Sequence, residues 1–339
     1  MWFPTSLLPN RALLGGAALA YGAPVRVLFL SEAFPAARML LREVLPTDDI
    51  EACPIEMALA RLPGADVLVP TMARVDAALM DAARPKLIQQ FGAGVDGVDL
   101  AAAAARHIPV ANVPAGGTGN AVGVAEMAVL HLLTICRRID AAREALAGGR
   151  LGEPLGRSLL GQTATVLGLG NIGGELVRRL SPFGLRLIGV GRAPASRLDP
   201  GLASQLDAYH PVGELDQALA RSDVLVLCLP LTDSTRGIIG ARELALLRPG
   251  AVLINVARGP LVERAALLDA LHSGRLSGAG LDVFWEEPPD PADPVFREAV
   301  VATPHVGAVT DISYRATARA FADNIERLRR GAPLHNLVI

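Results

Sequence analysis

Arg258, Glu287 and His305 are the residues of this sequence whose types and placement could do chemistry. A histidine exchanges a proton near neutral pH, and a carboxylate on its second ring nitrogen fixes the ring. An arginine keeps its charge at any working pH and grips a carboxylate through a fork of N–H donors. Each residue lies in a short segment just after an apolar run: Asn255-Val256-Ala257-Arg258-Gly259, Leu281-Asp282-Val283-Phe284-Trp285-Glu286-Glu287-Pro288 and Thr303-Pro304-His305-Val306-Gly307. Strand ends along one edge of an open α/β sheet line its ligand crevice, so the three can converge although they are far apart in sequence. Taken singly, each has a plainer reading: His305 as a structural histidine, Arg258 as a capping charge, and Glu286 as the acid in place of Glu287. His107, His131, His210, His272 and His335 have no such context and read as structural or surface residues.

A second constellation precedes these. Gly168-Leu169-Gly170-Asn171-Ile172-Gly173 has the glycine spacing of a dinucleotide loop, with a predicted strand before it and a helix opening at Ile172 or Gly173. Gly168 would make the tight turn, Gly170 would let backbone approach a pyrophosphate, and Gly173 would let helix and strand pack closely. The first N–H groups of the helix would then face the phosphates. The next strand ends in Gly189-Val190-Gly191-Arg192-Ala193-Pro194-Ala195-Ser196-Arg197, with no carboxylate for the ribose hydroxyls. Arg192, with Ser196 and Arg197 nearby, could hold a 2′-phosphate, so NADP(H) is expected over NAD(H), which stays possible. The plainer reading of Arg192 is a solvated loop charge.

Alternating runs must position these residues. Apolar segments at 25–30, 65–70, 86–91 and 109–113 predict strands, with helices at 74–84 and 100–107. A second series predicts strands at 163–167, 186–190, 224–229, 251–256, 278–283 and 300–303, with helices at 173–183, 215–221, 241–247 and 263–273. Such alternation implies an α/β fold with two doubly wound parallel-sheet domains. Residues 121–143 read as one long, largely buried helix between them. Gly148-Gly149-Arg150-Leu151-Gly152 is a turn-rich break, and residues 312–330 read as a helix returning to the first unit.

Composition bounds the rest. The chain is 51% hydrophobic and 19% charged, with a formal net charge of −2 and no basic run, which argues against nucleic-acid binding. Cys53, Cys136 and Cys228 form no CxxC pair, so neither a metal site nor a disulfide framework is expected, and Cys228 reads as a buried core thiol. This fits a reducing, cytoplasmic setting. Residues 1–24 read as a weakly docked or disordered extension rather than a cleaved presequence, since only Arg11 precedes the apolar piece and Pro4 and Pro9 interrupt it. No run is long and apolar enough for a membrane span.

The glycine loop, the Arg258 segment, the segment from Asp282 to Glu287 and the Pro304-His305 pair together resemble the D-isomer-specific 2-hydroxyacid dehydrogenase family, from about Val25 to the C-terminus. The resemblance implies a Rossmann cofactor domain (121–309) inserted into a smaller flavodoxin-like substrate domain (25–120 and 310–339), and a homodimer. It places the paired carboxylate directly before a proline, which selects Glu287. His305 would then protonate the carbonyl oxygen of a 2-oxo acid, Glu287 would hold its ring, and Arg258 would bind the substrate carboxylate. Within Phe91-Gly92-Ala93-Gly94-Val95-Asp96, Ala93 and Gly94 would offer backbone N–H groups to that carboxylate, and Asn120 would lie near the site. Asp282 would contact the nicotinamide carboxamide. Leu229, Pro230, Val256, Ala257 and Gly307 would complete the dinucleotide contacts, and Trp285 would either shape the pocket or pack in the core. Glutamate at 287 speaks against the formate-oxidising members, which carry glutamine there. The absence of lysine from residues 91–96 speaks against the phosphite-oxidising ones.

The resemblance therefore implies a small 2-oxo acid such as glyoxylate or hydroxypyruvate, reduced with NADP(H). An NAD-dependent phosphoglycerate-type dehydrogenase is the alternative; such proteins often add a C-terminal regulatory domain, and this chain ends at Ile339. A dinucleotide-sensing corepressor is the alternative of another class, made less attractive by the lack of an obvious partner segment.

Overall fold

The computed structural model describes residues 23–339, so the expectation for the N-terminal extension falls almost wholly outside the described residues. The first sheet contains β1 (Arg26–Phe29), β2 (Asp49–Ala52), β3 (Val67–Val69), β4 (Leu87–Gln89) and β5 (Val110–Ala111). These strands are parallel, in the order β2-β1-β3-β4-β5. The second sheet contains β6 (Thr163–Leu167), β7 (Arg186–Gly191), β8 (Ala208–Pro211), β9 (Val224–Leu227), β10 (Ala251–Asn255), β11 (Leu276–Leu281) and β12 (Val300–Ala302). It is also parallel, in the order β12-β11-β10-β9-β6-β7-β8. Strands β6, β9 and β10 are buried at every position. That is why they read as continuous apolar runs rather than alternating ones, since helices cover both faces of a parallel sheet. Strand β6 sits between β7 and β9, which is where the strand order reverses and a crevice opens.

Each sheet builds its own core. The helix Asp311–Arg330 lays Tyr314, Ala318, Phe321 and Ile325 against β1, β3 and β4, so the end of the chain packs on the first sheet. Inside that contact, the carboxamide of Asn324 donates to the buried Gln89 Oε1 at 2.7 Å. The helix Asn120–Cys136 buries Val124, Ala125, Ala128 and Leu132 against the second sheet instead. Cys53 and Cys136 are buried, and Cys228, expected as a buried core thiol, packs on the second core and is half-buried. No described helix is long and apolar enough to cross a membrane.

Two features depart from expectation. The stretch 121–143 is two helices, Asn120–Cys136 and Ile139–Ala147, broken at Arg138 with φ 51°. The cause is tertiary: the carbonyl of Cys136 accepts from the Arg157 N–H at 2.7 Å, a bond from a distant segment in place of the next helical turn. Strands β2 and β8 have no apolar run to announce them, and both lie at a sheet edge.

Phe321, on the C-terminal helix, is fully buried against the first sheet and the Phe91 ring. Phe321→Ala is expected to cost about 3–5 kcal/mol of stability by leaving a cavity that the helix cannot close. Urea denaturation followed by circular dichroism measures it; a loss below 1 kcal/mol would contradict this account of the first core.

Candidate active site

The glycine loop sits on the crevice where the strand order reverses. Gly168 follows β6 with φ +100°, and its N–H donates to the Val190 carbonyl at 2.8 Å. A Cβ there would lie 2.7 Å from the Cys228 carbonyl oxygen, so only glycine fits both the turn and the approach of β9. A Cβ at Gly173 would overlap the Gly168 carbonyl oxygen, which is how tightly the helix packs on the loop. Gly170 faces open space. The helix Asn171–Leu180 opens one residue earlier than expected, with Gly170 at its cap, so the N–H groups of Asn171 and Ile172 lack helical acceptors. A cleft of about 420 Å³ lies here, lined by Gly170, Asn171, Gly116, Gly117, Arg178 and Arg197. An open glycine, free helical N–H groups and two arginines fit a dinucleotide pyrophosphate. Arg192 lies one residue beyond β7, exposed, with no hydrogen bond or ion pair among the described residues. Leu229, Pro230, Val256, Ala257 and Gly307 all lie just past the ends of β9, β10 and β12, on the same edge.

The expected contact between His305 and Glu287 is formed. His305 Nδ1 lies 2.7 Å from Glu287 Oε2, and the other oxygen, Oε1, accepts from the Phe284 N–H at 3.0 Å. Glu287 thus has both oxygens engaged, which locks its carboxylate on the ring. Glu286 is exposed and pairs with nothing among the described residues. His305 Nε2 has no hydrogen-bond partner among the described residues and is not enclosed, so that nitrogen is free to meet a ligand. The histidine backbone is left-handed, φ 54°. Trp285 donates its Nε1–H to the Val262 carbonyl at 2.7 Å and packs on the core, turned to structure rather than to a pocket.

Arg258 is braced from three sides. Buried Asn255 accepts from the Ala257 N–H at 3.1 Å and donates to the Arg258 carbonyl at 2.8 Å, which sets the loop. The guanidinium donates through Nη1 to the Ala257 carbonyl and through Nε to Asp96 Oδ2, both at 2.8 Å. Asp96 belongs to the first unit, so this ion pair spans the two sheets. The guanidinium lies over Gly94, in the space a side chain would fill. The N–H groups of Ala93 and Gly94 donate to no protein acceptor among the described residues, whereas their carbonyls accept from Asn112 at 2.8 Å and Gln90 at 2.8 Å. Asn120 opens its helix on the same side, half-buried, with its N–H on Thr118 Oγ1 at 3.4 Å.

Two residues of this site carry no sequence signal of their own. Asp96 is one polar residue at the end of a glycine-containing loop. His131, on the helix Asn120–Cys136, is fully buried, and its Nε2 lies 3.0 Å from Thr303 Oγ1. That hydroxyl makes its shortest bond, 2.6 Å, to Asp282 Oδ1, so it donates there and accepts from His131. Asp282 also takes the Val306 N–H at 2.9 Å and the Gly307 N–H at 2.8 Å. Among the described residues no cluster of three or more His, Cys, Asp or Glu could hold a metal.

Residues 129–307 match the family model for the D-isomer specific 2-hydroxyacid dehydrogenase, NAD binding domain. The chain is 32% identical over 93% of its length to a D-3-phosphoglycerate dehydrogenase of Methanocaldococcus jannaschii, of which it covers 59%. It is 32% identical to a glyoxylate reductase of Thermococcus gammatolerans, over 90% of this chain and 93% of that protein. Its fold is similar, with a TM-score of 0.78, to an NADPH-dependent glyoxylate/hydroxypyruvate reductase of Sinorhizobium meliloti solved with NADP and malonate. That pair is 32% identical over 94% of this chain and 97% of the other. The chain spans 50 to 59% of the length of the phosphoglycerate dehydrogenases it matches.

Burial pushes the His131 imidazole below its ordinary value of 6.5, against the opposing field of Asp282, and its Nδ1 has no partner to share a proton with. The folded protein therefore refuses a proton that the unfolded chain accepts. Stability from this residue is complete above pH 6.5 and is lost as pH falls below it, by at most about 1.4 kcal/mol per pH unit. Denaturation midpoints taken between pH 7.5 and 5.5 should fall less steeply for His131→Gln than for the parent; equal slopes would contradict the assignment.

Proposed function

The chain belongs to the D-isomer-specific 2-hydroxyacid dehydrogenase family, and on that premise we propose that it is an oxidoreductase of CH–OH donors that interconverts a small 2-oxo acid and its D-2-hydroxy acid with NADP(H). The observation that carries this reading is the 2.7 Å His305–Glu287 pair, which leaves the other ring nitrogen without a protein partner among the described residues. The braced Arg258 guanidinium lies at Gly94, where two backbone N–H groups donate to no protein acceptor among the described residues.

The nicotinamide dinucleotide supplies hydride chemistry at the carbonyl carbon when bound. Gly168, Gly170 and Gly173 form its cradle, and the N–H groups of Asn171 and Ile172 meet the pyrophosphate. Leu229, Pro230, Val256, Ala257, Asp282 and Gly307 line its path, and Arg192 takes the 2′-phosphate as a charge-assisted partner. Arg258 binds the substrate carboxylate together with the N–H groups of Ala93 and Gly94, and Asn120 borders it. His305 Nε2 donates a proton to the carbonyl oxygen in reduction and takes it back in oxidation. Glu287 holds the ring so that Nε2 points at that oxygen and balances the charge of the imidazolium. Asp96 fixes Arg258 through Nε, which leaves Nη2 for the substrate.

A short 2-oxo acid such as glyoxylate or hydroxypyruvate is the proposed substrate, supported by the similarity to reductases that match this chain end to end. We assign residues 25–120 and 310–339 to the substrate domain and 121–309 to the cofactor domain. The family resemblance supports a homodimer, and the three free cysteines fit a reducing cytoplasm.

His305→Gln should lower kcat about 10²–10⁴-fold with little change in dinucleotide affinity, because it removes the proton donor alone. A screen of 2-oxo acids with both cofactors, read as kcat/KM, checks the activity, and retention of full turnover in the variant would overturn the assignment. NADPH should be preferred over NADH, and Arg192→Ser should erase that preference. A parent enzyme that prefers NADH would end the case for Arg192.

A further inference from the structure

Phe34 is held in an unfavourable backbone conformation against the proton donor. It lies between β1 and the helix Pro35–Val44, in the first unit, with φ 54° and ψ 53°. A bulky residue in the left-handed region costs of order 1–3 kcal/mol and persists only where its surroundings over-determine it. Here they do. The Arg38 guanidinium donates to the carbonyls of Ala33 at 2.8 Å, Glu32 at 2.9 Å and Ser31 at 3.4 Å. The Ser31 hydroxyl accepts from the Ala33 N–H at 3.1 Å, and Pro35 fixes the first helical position. This clamp delivers the Phe34 ring across the boundary between the two units to His305. The ring centroids are 6.0 Å apart and the planes perpendicular, an edge-to-face contact. His305 itself has φ 54°, so two non-glycine residues in the left-handed region meet ring to ring at the cleft.

Glu287 already occupies His305 Nδ1, so the aromatic contact adds nothing to the ring's hydrogen bonding. What it adds is an apolar ring held against the imidazole from the other unit. We propose that Phe34 is a specificity-determining residue, which bounds the pocket beside the reacting carbonyl and admits 2-oxo acids with a short C3 substituent while excluding branched or aromatic ones. Arg38 is its positioning residue. The inference rests on the reading of this cleft as a 2-oxo acid site and goes beyond it by naming the side chain that selects among such acids.

The test compares the full-length parent with Phe34→Leu, Phe34→Ala and Arg38→Gln. Activity is read as kcat/KM for glyoxylate, pyruvate, 3-methyl-2-oxobutanoate and phenylpyruvate. Binding is read by calorimetry with the dead-end ligands oxamate and N-isobutyloxamate on the dinucleotide-loaded protein. Truncation to Ala should raise the ratio of bulky to short substrate, and of N-isobutyloxamate to oxamate affinity, by tenfold or more. Leu should give a smaller change of the same sign, and Arg38→Gln should follow Ala by releasing the loop. The pH profile of kcat should stay that of the parent, because His305 and Glu287 are untouched. A uniform fall for all substrates with unchanged ratios would overturn the proposal in favour of a purely structural role. Should Phe34→Ala not fold, the Leu variant alone decides by the sign of its ratio. If the parent binds both oxamates yet reduces no 2-oxo acid, the reading of the reaction fails, and the ratio of oxamate affinities still judges Phe34. If no oxamate binds the parent, both fall.

Discussion

Asp282 is 2% exposed, and a carboxylate removed from water is tolerated only when donors satisfy it. Three do: the Thr303 hydroxyl and the backbone N–H groups of Val306 and Gly307. Those donors flank His305 on both sides in sequence. The bonds that satisfy the buried charge are therefore the same bonds that fix the turn holding the imidazole. Losing the carboxylate would leave the two N–H groups unsatisfied, and the turn would keep only the His305 N–H bond to the Thr303 carbonyl and the Glu287 contact to the ring. His131 extends this brace to the connecting helix, since its Nε2–H donates to the Thr303 hydroxyl oxygen. The helix that joins the two units is thus tied to the loop that bears His305.

The second unit alone does not make a site. Arg258 meets Asp96 from the first sheet, and His305 meets Phe34 from the first sheet, so each functional side chain is steadied by one residue of the other unit. The ion pair is about a third exposed on each side, and pairs so placed contribute only ~0–1 kcal/mol to stability. Its worth is geometric. With Nε on Asp96 and Nη1 on the Ala257 carbonyl, the guanidinium plane cannot rotate without breaking both bonds. A group that must meet a planar carboxylate benefits more from that orientation than from any extra stability.

Much of this was legible in the sequence because strongly constrained positions advertise themselves. The glycine loop could be read because turn, open approach and close packing each exclude a side chain at a fixed spacing. Arg258, Glu287 and His305 could be read because they follow apolar runs, and in this fold the ends of such runs share an edge. The rest has no local signature. Strand β2 is Asp49-Ile50-Glu51-Ala52, an edge strand whose only fully buried residue is Ile50, so its period is too short to recognise. The helix break at Arg138 has neither glycine nor proline, because a distant N–H causes it. Asp96, His131 and Phe34 are chosen by partners far away in sequence, and a lone aspartate, histidine or phenylalanine says nothing of its partner. Phe34 is the sharpest case: Pro35 marks a helix start, which hides the left-handed residue that precedes it.

The hydrogen-bonding capacity that the site leaves unused defines what it can hold. Glu287 uses both oxygens, Asp282 takes three donors, and Arg258 spends Nε and Nη1 within the protein. Left over among the described residues are Nη2 of Arg258, the N–H groups of Ala93 and Gly94, and Nε2 of His305. Ala93 is exposed, and Gly94, Arg258 and His305 are half-buried, so water satisfies these donors until a ligand with matching acceptors takes its place. Three of these are anion donors grouped around one guanidinium, and the fourth is a nitrogen that can give or take a proton. The proposed substrate, a carboxylate next to a carbonyl carbon, offers the matching acceptors. A chain with a net charge of only −2 can favour such an anion because the selection is made by these few oriented groups and not by its overall field.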